Sequence, residues 1–247
     1  MNAYFKEKMI LLGVLLLAFA VAYAVPVMAD PAGGSVVGSV TDKGSYPSSS
    51  AGSISVVSGR IYEANVTGEQ STYHWAGVYG NATGTLILGD SSNKKMFEWP
   101  AKATYVFFDD DGTIDWENLG DATCTDVENS FGFLSGASDD CSNTFSAGTA
   151  VPDFKSISTT GFSGTITAKT LDGEATQTAH WVTYAIKDTT NSDVLFAAET
   201  EYITSGESST THSAYNGVPA NYQAILPENG NNGDTSATTY YIWIELY

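Results

Sequence analysis

The last ten residues, Thr238-Thr239-Tyr240-Tyr241-Ile242-Trp243-Ile244-Glu245-Leu246-Tyr247, alternate in a way that decides the fold class. Tyr240, Ile242, Ile244 and Leu246 share one face of an extended chain, and Tyr241, Trp243, Glu245 and Tyr247 share the other. A helix would scatter these side chains around its surface, whereas a strand sorts them into two bulky faces. Bulk on both faces predicts a strand held inside a sheet, with the chain ending there rather than in a tail.

The same period of two runs upstream. Ile54-Ser55-Val56-Val57, Arg60 to Val66, Ser71 to Tyr79, Thr83 to Leu88, Met96 to Trp99 and Thr104 to Phe108 all read as strands. Gly80-Asn81 between two of these runs predicts a hairpin turn, and Gly89 to Lys94 predicts another. Further on, Gly164 to Ala168, Thr178 to Ile186, Asp193 to Ala198 and Tyr222 to Leu226 continue the pattern. Turn-formers separate them at Asp172-Gly173, Thr190-Asn191-Ser192 and Asn229 to Gly233. About ten short strands with almost no amphipathic helix predict an all-β fold, a β-sandwich or jelly-roll-like architecture. The exception is a short helical and acidic insertion near 109–145. There Asp121 to Glu128 predicts one or two helical turns, with Thr125 and Glu128 at capping-box spacing.

At the other end, residues 1–29 read as a signal peptide. Lys6 and Lys8 make a basic start, Met9 to Ala22 is apolar apart from Gly13, and Ala22-Tyr23-Ala24 or Val27-Met28-Ala29 offers a small-x-small cleavage site. The apolar run is short for a bilayer span, and Gly and Ser follow it rather than stop-transfer charges. Export with no stable membrane insertion after cleavage is the expectation, and an uncleaved anchor is the other reading. Residues 30–52 have the composition of a Gly/Ser-rich flexible leader, although Gly34 to Val40 could extend as a strand. Residues 53–247 are expected to form a single β-sandwich domain; about 215 mature residues suffice for one sizeable core.

Charge narrows the function classes. Removing Lys6, Lys8 and Glu7 with the leader leaves eight basic residues against 27 acidic ones, a net charge of −19. Phosphate contacts need clustered Lys or Arg, so nucleic acid is not an expected partner, and an anionic membrane surface would repel the chain. The same charge favours a counter-cation such as calcium. Cys124 and Cys141, an even pair in an exported segment, predict a disulfide, with two free buried thiols as the alternative.

Two blocks carry a resemblance. Trp75-Ala76-Gly77-Val78-Tyr79-Gly80-Asn81-Ala82-Thr83-Gly84 with Met96 to Trp99, and the closing Thr238 to Leu246, are similar to secreted, archaeal-type surface proteins of unassigned activity. The resemblance implies secretion or surface exposure and carries no catalytic motif with it.

The strongest chemical candidate is Phe108-Asp109-Asp110-Asp111-Gly112-Thr113-Ile114-Asp115-Trp116-Glu117. Clustered carboxylates around a Gly-mediated turn are what oxygen-ligand calcium loops use. An EF-hand register places Gly112 at position six but puts Phe107 at position one and Asn118 at position twelve, so that pattern fails at two ligands. An irregular calcium site using Asp109, Asp111 and Asp115 is one expectation; a solvated acidic turn is the other. Asn65-Val66-Thr67 and Asn81-Ala82-Thr83 fit the N-glycosylation pattern. His74, His180 and His212 lack the spacing of a zinc hydrolase, and Gly161-Phe162-Ser163-Gly164 is not a nucleophile elbow.

A cell-surface structural or adhesive protein with no catalytic activity follows, self-assembling or binding other surface proteins. Gly34 to Val40 is a candidate donor strand for a neighbouring copy. Five tryptophans and 14 tyrosines keep a carbohydrate-binding module as the alternative, with glycans as partners. A carboxylate-based glycoside hydrolase is the third reading.

Overall fold

The computed structural model describes residues 30–47, 49–133, 136–148, 164–173, 175–201, 213–228 and 236–247. In chain order the strands are β1 (Ala32–Gly33), β2 (Trp75–Gly80), β3 (Gly84–Gly89), β4 (Lys95–Ala101), β5 (Ala103–Asp109) and β6 (Leu119–Asp121). Two short helices follow, α1 (Cys124–Phe131) and α2 (Cys141–Thr144). Then come β7 (Ser146–Ala147), β8 (Ile166–Leu171), β9 (Ala179–Asp188), β10 (Asp193–Glu199), β11 (Tyr222–Pro227) and β12 (Tyr241–Leu246). The fold is an all-β sandwich of antiparallel sheets, as the alternation predicts.

The main sheet runs in the order β1-β12-β5-β10-β9-β8-β7, with β6 beside the end of β9. Its central strands are buried on both faces. Val106, Phe108, Val194, Phe196 and Ala198 point to one side, where the small β2–β11 sheet contributes Trp75, Ala224 and Leu226. The helical insertion closes that layer with Val127, Phe131 and Phe145. Tyr105, Phe107, Tyr184, Ile186, Leu195 and Ala197 point to the other side, roofed by Ile114, Trp116, Leu119 and Trp243. β12 carries bulk on both faces for the same reason, and Ile242 and Trp243 serve opposite layers.

Cys124 and Cys141 form the expected disulfide, which joins α1 to α2. Closing that loop stabilises the fold by roughly 3 kcal/mol in the chain-entropy description. The insertion is then tied to β2 through Asp139. Its carboxylate accepts from the Thr72 hydroxyl at 2.5 Å and the Tyr73 N–H at 2.9 Å, and faces His74 Nδ1 at 2.8 Å. The Trp75 indole donates to the Asp139 carbonyl at 2.6 Å. Burial pushes the Asp139 carboxyl up, but these donors outweigh it and hold the group well below the usual carboxylate range.

Several expectations need correction. Residues 53–71 form no strand: Ile54, Val56, Val57, Ile61 and Val66 all stand exposed, so β-propensity there has no layer to satisfy. Between β1 (Ala32–Gly33) and β2, which starts at Trp75, the described residues contribute no strand to the sheets. That excursion closes on itself locally, through Ser49 N–H to the Glu69 carbonyl at 2.9 Å and the Tyr46 hydroxyl to Glu69 at 2.5 Å. Gly34 to Val40 is not a strand; Ala32 and Gly33 pair with Ile244 and Trp243, and the Gly34 N–H reaches the Ile242 carbonyl at 2.7 Å. Gly80-Asn81 is not a hairpin turn either. β2 pairs with the distant β11, and β3 pairs with β4 across the Gly89–Lys94 turn. Asp90 builds that turn, its Oδ1 accepting from the Ser92 and Lys94 N–H groups at 2.9 Å while Asn93 takes φ 61°. The capping box uses Thr123 and Asp126 instead of Thr125 and Glu128, because the helix starts two residues earlier. The signal peptide, His212, the Gly161 to Ser163 stretch and the Asn229 to Gly233 turn lie outside the described residues.

Phe196 packs against Phe131 and Phe145 in the core, whereas Ile61 touches solvent all round. Phe196→Ala should cost about 3–5 kcal/mol in urea unfolding. Ile61→Ala should stay within about 0.5 kcal/mol of wild type, and a larger loss would place residues 53–71 in the folded unit after all.

Candidate functional site

β5 leaves the core as Phe107-Phe108-Asp109, so the last residue of a buried strand is a carboxylate at the sheet's end. Gly112 turns the chain there at φ 84° and donates its N–H to Asp109 Oδ2 at 2.7 Å. Asp111 accepts from the Thr113 N–H at 2.6 Å and the Thr113 hydroxyl at 2.7 Å. β10 runs antiparallel to β5 with Phe196 opposite Phe108, and this register brings its first residue, Asp193, up to the same turn. One ligand oxygen from each of Asp109, Asp111 and Asp193 lies within 4.8 Å of the others, the only such grouping among the described residues.

Two of the expected ligands therefore meet and the third does not. Asp115 is half-buried and spends its carboxylate elsewhere, accepting from Asn118 Nδ2 and the Thr190 hydroxyl at 2.8 Å each, which lowers its pKa. Its own N–H goes to Asp188 Oδ2 at 2.8 Å. Asp188, buried, also accepts from the N–H groups of Thr190 at 2.9 Å and Asn191 at 3.1 Å. Asp115 and Asp188 thus pin the acidic loop to the β9–β10 turn and leave the cluster to Asp193. Asp193 is the residue that reading along the sequence misses. It stands 84 positions from Asp109, directly after a Thr190-Asn191-Ser192 turn whose only legible message is a turn.

The electrostatics follow from burial and crowding. Asp109 is 1% exposed, and burial first, then the adjoining Asp193 carboxylate, push its pKa up to about 8. Asp193 Oδ1 accepts from the Val194 N–H at 2.7 Å, while Oδ2 is buried with no N–H or O–H near it unless Asp109 carries a proton. Burial and the Asp193 charge raise Asp110 as well. At Asp111 partial burial pushes up, but the Thr113 donors outweigh it and the group sits below its ordinary value. Such a corner holds either a shared proton or a cation. Calcium takes six to eight oxygens at about 2.3–2.6 Å, so these three carboxylates would supply part of the shell and water the remainder.

The other candidates are placed plainly. Asn65 and Asn81 are both exposed. His74 is buried on Asp139, and His180 Nε2 meets Glu201 at 2.6 Å. Trp75 and Trp181 are core residues, and Trp116 packs on Trp243 with ring centroids 6.1 Å apart. Only Trp99 stands on an open surface, beside Phe97 at 4.7 Å. No protein family, curated protein or solved structure matches this chain.

The raised Asp109 value has a definite pH signature. Folded Asp109 keeps its proton to about pH 8, whereas the unfolded chain releases it near about pH 4. In chelator, stability should therefore fall as pH rises from 5 to 8, because the folded state binds the extra proton in that window. Asp109→Asn should flatten that slope in urea titrations at the two pH values. Equal slopes in wild type and Asp109→Asn between pH 5 and 8 would show that Asp109 is already ionised in the fold across that window.

Proposed function

We propose that this chain is an exported cell-surface structural or adhesive protein, a subunit that assembles with itself or with other surface proteins and carries out no catalysis. One observation carries this reading. The β3–β4 hairpin stands beyond the sheet with Leu86, Ile87, Leu88, Met96, Phe97 and Trp99 exposed, side chains that a surface keeps in water where they make contact with something. The leader, the disulfide and the resemblance to secreted surface proteins support the same reading, and the exposed Asn65 and Asn81 suit glycosylation. Calcium at Asp109, Asp111 and Asp193 would stiffen the β5–β10 end of the sheet, a fitting device for a protein that works in an extracellular medium.

A second reading, a carbohydrate-binding module, is favoured by the exposed Phe97–Trp99 pair, since sugar rings stack on such platforms. It predicts a monomer that retains glycans.

The full chain, expressed in a secreting host, separates these readings. It should appear outside the cytoplasm with an N-terminus at Val25 or Asp30 by mass spectrometry and with Cys124 joined to Cys141. Light scattering with calcium and then with chelator should show species larger than the monomer, growing with calcium. A monomer that binds an immobilised glycan array and loses binding in Trp99→Ala would establish the module instead. Retention inside the cell with reduced thiols would remove the surface reading altogether.

A further inference from the structure

β4 does not stop where the sheet stops. The chain from Lys95 to Asp109 is extended throughout, with only Lys102 between β4 and β5. Its inner half lies between β12 and β10. Beyond the sheet β3 takes over from β12: Lys102 and Tyr247 exchange N–H to carbonyl bonds at 2.9 and 2.8 Å, and Gly84 lies directly against the Leu246 side chain. On the other side pairing ends at Glu199 with Tyr105 and at the Thr200 N–H to the Thr104 carbonyl. Among the described residues, β3 and β4 therefore form a two-stranded arm anchored at one end.

The register gives the arm one apolar face. Leu86 pairs with Trp99 and Leu88 with Phe97, so these four side chains lie together, with Phe97 55% and Trp99 47% exposed. A two-stranded hairpin alone is marginal in water, so a covered face stabilises it. Pro100 removes a donor from β4 and Lys95 and Glu98 charge it, which works against extending the arm edge to edge. Contact through the face remains.

Charge selects the occupant. Residues 84–102 contain Lys94, Lys95 and Lys102 against Asp90 and Glu98, a net of +1. The chain beyond residue 29, without that segment, has five basic residues against 25 acidic ones, a net of −20. The arm is thus complementary to the body of its own kind. An anionic bilayer would attract three lysines and repel everything behind them. We propose that the Leu86, Leu88, Phe97 and Trp99 face of the arm docks on a second copy of this chain. Two arms laid antiparallel, face on face, form a closed two-fold contact that brings the Lys94–Lys95 tip of each towards the acidic body of the other. The face is small beside the roughly 800 Å² per partner of a stable interface, so the pairing should be reversible. This inference rests on the assembling-subunit reading and names its contact element.

The test is sedimentation velocity of the secreted full chain over about 2–200 μM, a range suited to a weak reversible contact. Wild type should move from monomer to dimer with concentration. Phe97→Ser with Trp99→Ser should stay monomeric with an unchanged thermal midpoint. Lys94→Glu with Lys95→Glu, two exposed changes that leave the fold intact, should weaken dimerisation at least tenfold. If both variants associate as wild type does, the arm is not the contact, although assembly itself stands. A wild type that is monomeric throughout overturns both this inference and the self-assembling form of the reading. A monomer that instead pellets with neutral or anionic lipid vesicles through the same residues makes the arm a membrane contact and overturns the proposal.

Discussion

Everything in this fold depends on β5 being buried on both faces. Phe107 and Phe108 are adjacent, point in opposite directions, and are both excluded from water. A single sheet over a single core cannot satisfy that pair, so the chain must build a layer on each side. On the Phe108 side it uses β2, β11 and the disulfide-closed insertion. On the Phe107 side it uses the loop carrying Ile114, Trp116 and Leu119. The acidic corner is a consequence of this arrangement. That loop must leave from Asp109 at the end of the buried strand, and Asp115 and Asp188 hold it down beside the apolar packing of Ile114 and Trp116.

How much of this is legible along the chain depends on what periodicity encodes. Thr178 to Ile186, Asp193 to Ala198, Tyr222 to Leu226 and the closing residues are strands because bulk alternates where a layer exists on each side. Ile54 to Val66 has the same pattern and no layer, and it stays irregular; the pattern states what a segment could bury, not whether anything lies opposite. Pairing is less legible still. Gly80-Asn81 is plausible turn chemistry, yet the β2 backbone is satisfied by β11 some 140 residues later, and Asn221 supports the corner with bonds to both Ala82 N–H and carbonyl at 2.7 and 2.8 Å. No local signal contains that partner.

The acidic site was half legible for the same reason. Asp109 and Asp111 flank a glycine turn, so they share a loop in any fold that keeps the turn. Asp115, four residues on, is drawn away by hydrogen bonds to Asn118 and Thr190, while Asp193 arrives through the β5–β10 register. Membership of the cluster is set by strand pairing, and strand pairing is set by the double burial of β5. Burial then raises Asp109, so the group that ends the core strand is also the one that takes up a proton or calls for a cation.

The arm obeys the same constraint from the opposite end. Because β4 and β5 are one extended chain, β4 inherits the orientation of a strand fixed by Phe107 and Phe108, and a load on Trp99 is transmitted through Lys102 into the centre of the sheet. A contact element on a loose loop would lose conformational entropy on docking; one continuous with a buried strand has already lost most of it during folding. The arm's exposed face is therefore pre-ordered. Its apolar side chains cost solubility, which the charge of −20 on the rest of the chain beyond residue 29 would offset by keeping bodies apart except where a lysine-bearing tip lies between them. On this reading, body charge and arm composition act as two halves of one specificity device: like charge suppresses indiscriminate contact, and the less acidic, apolar arm determines where contact occurs.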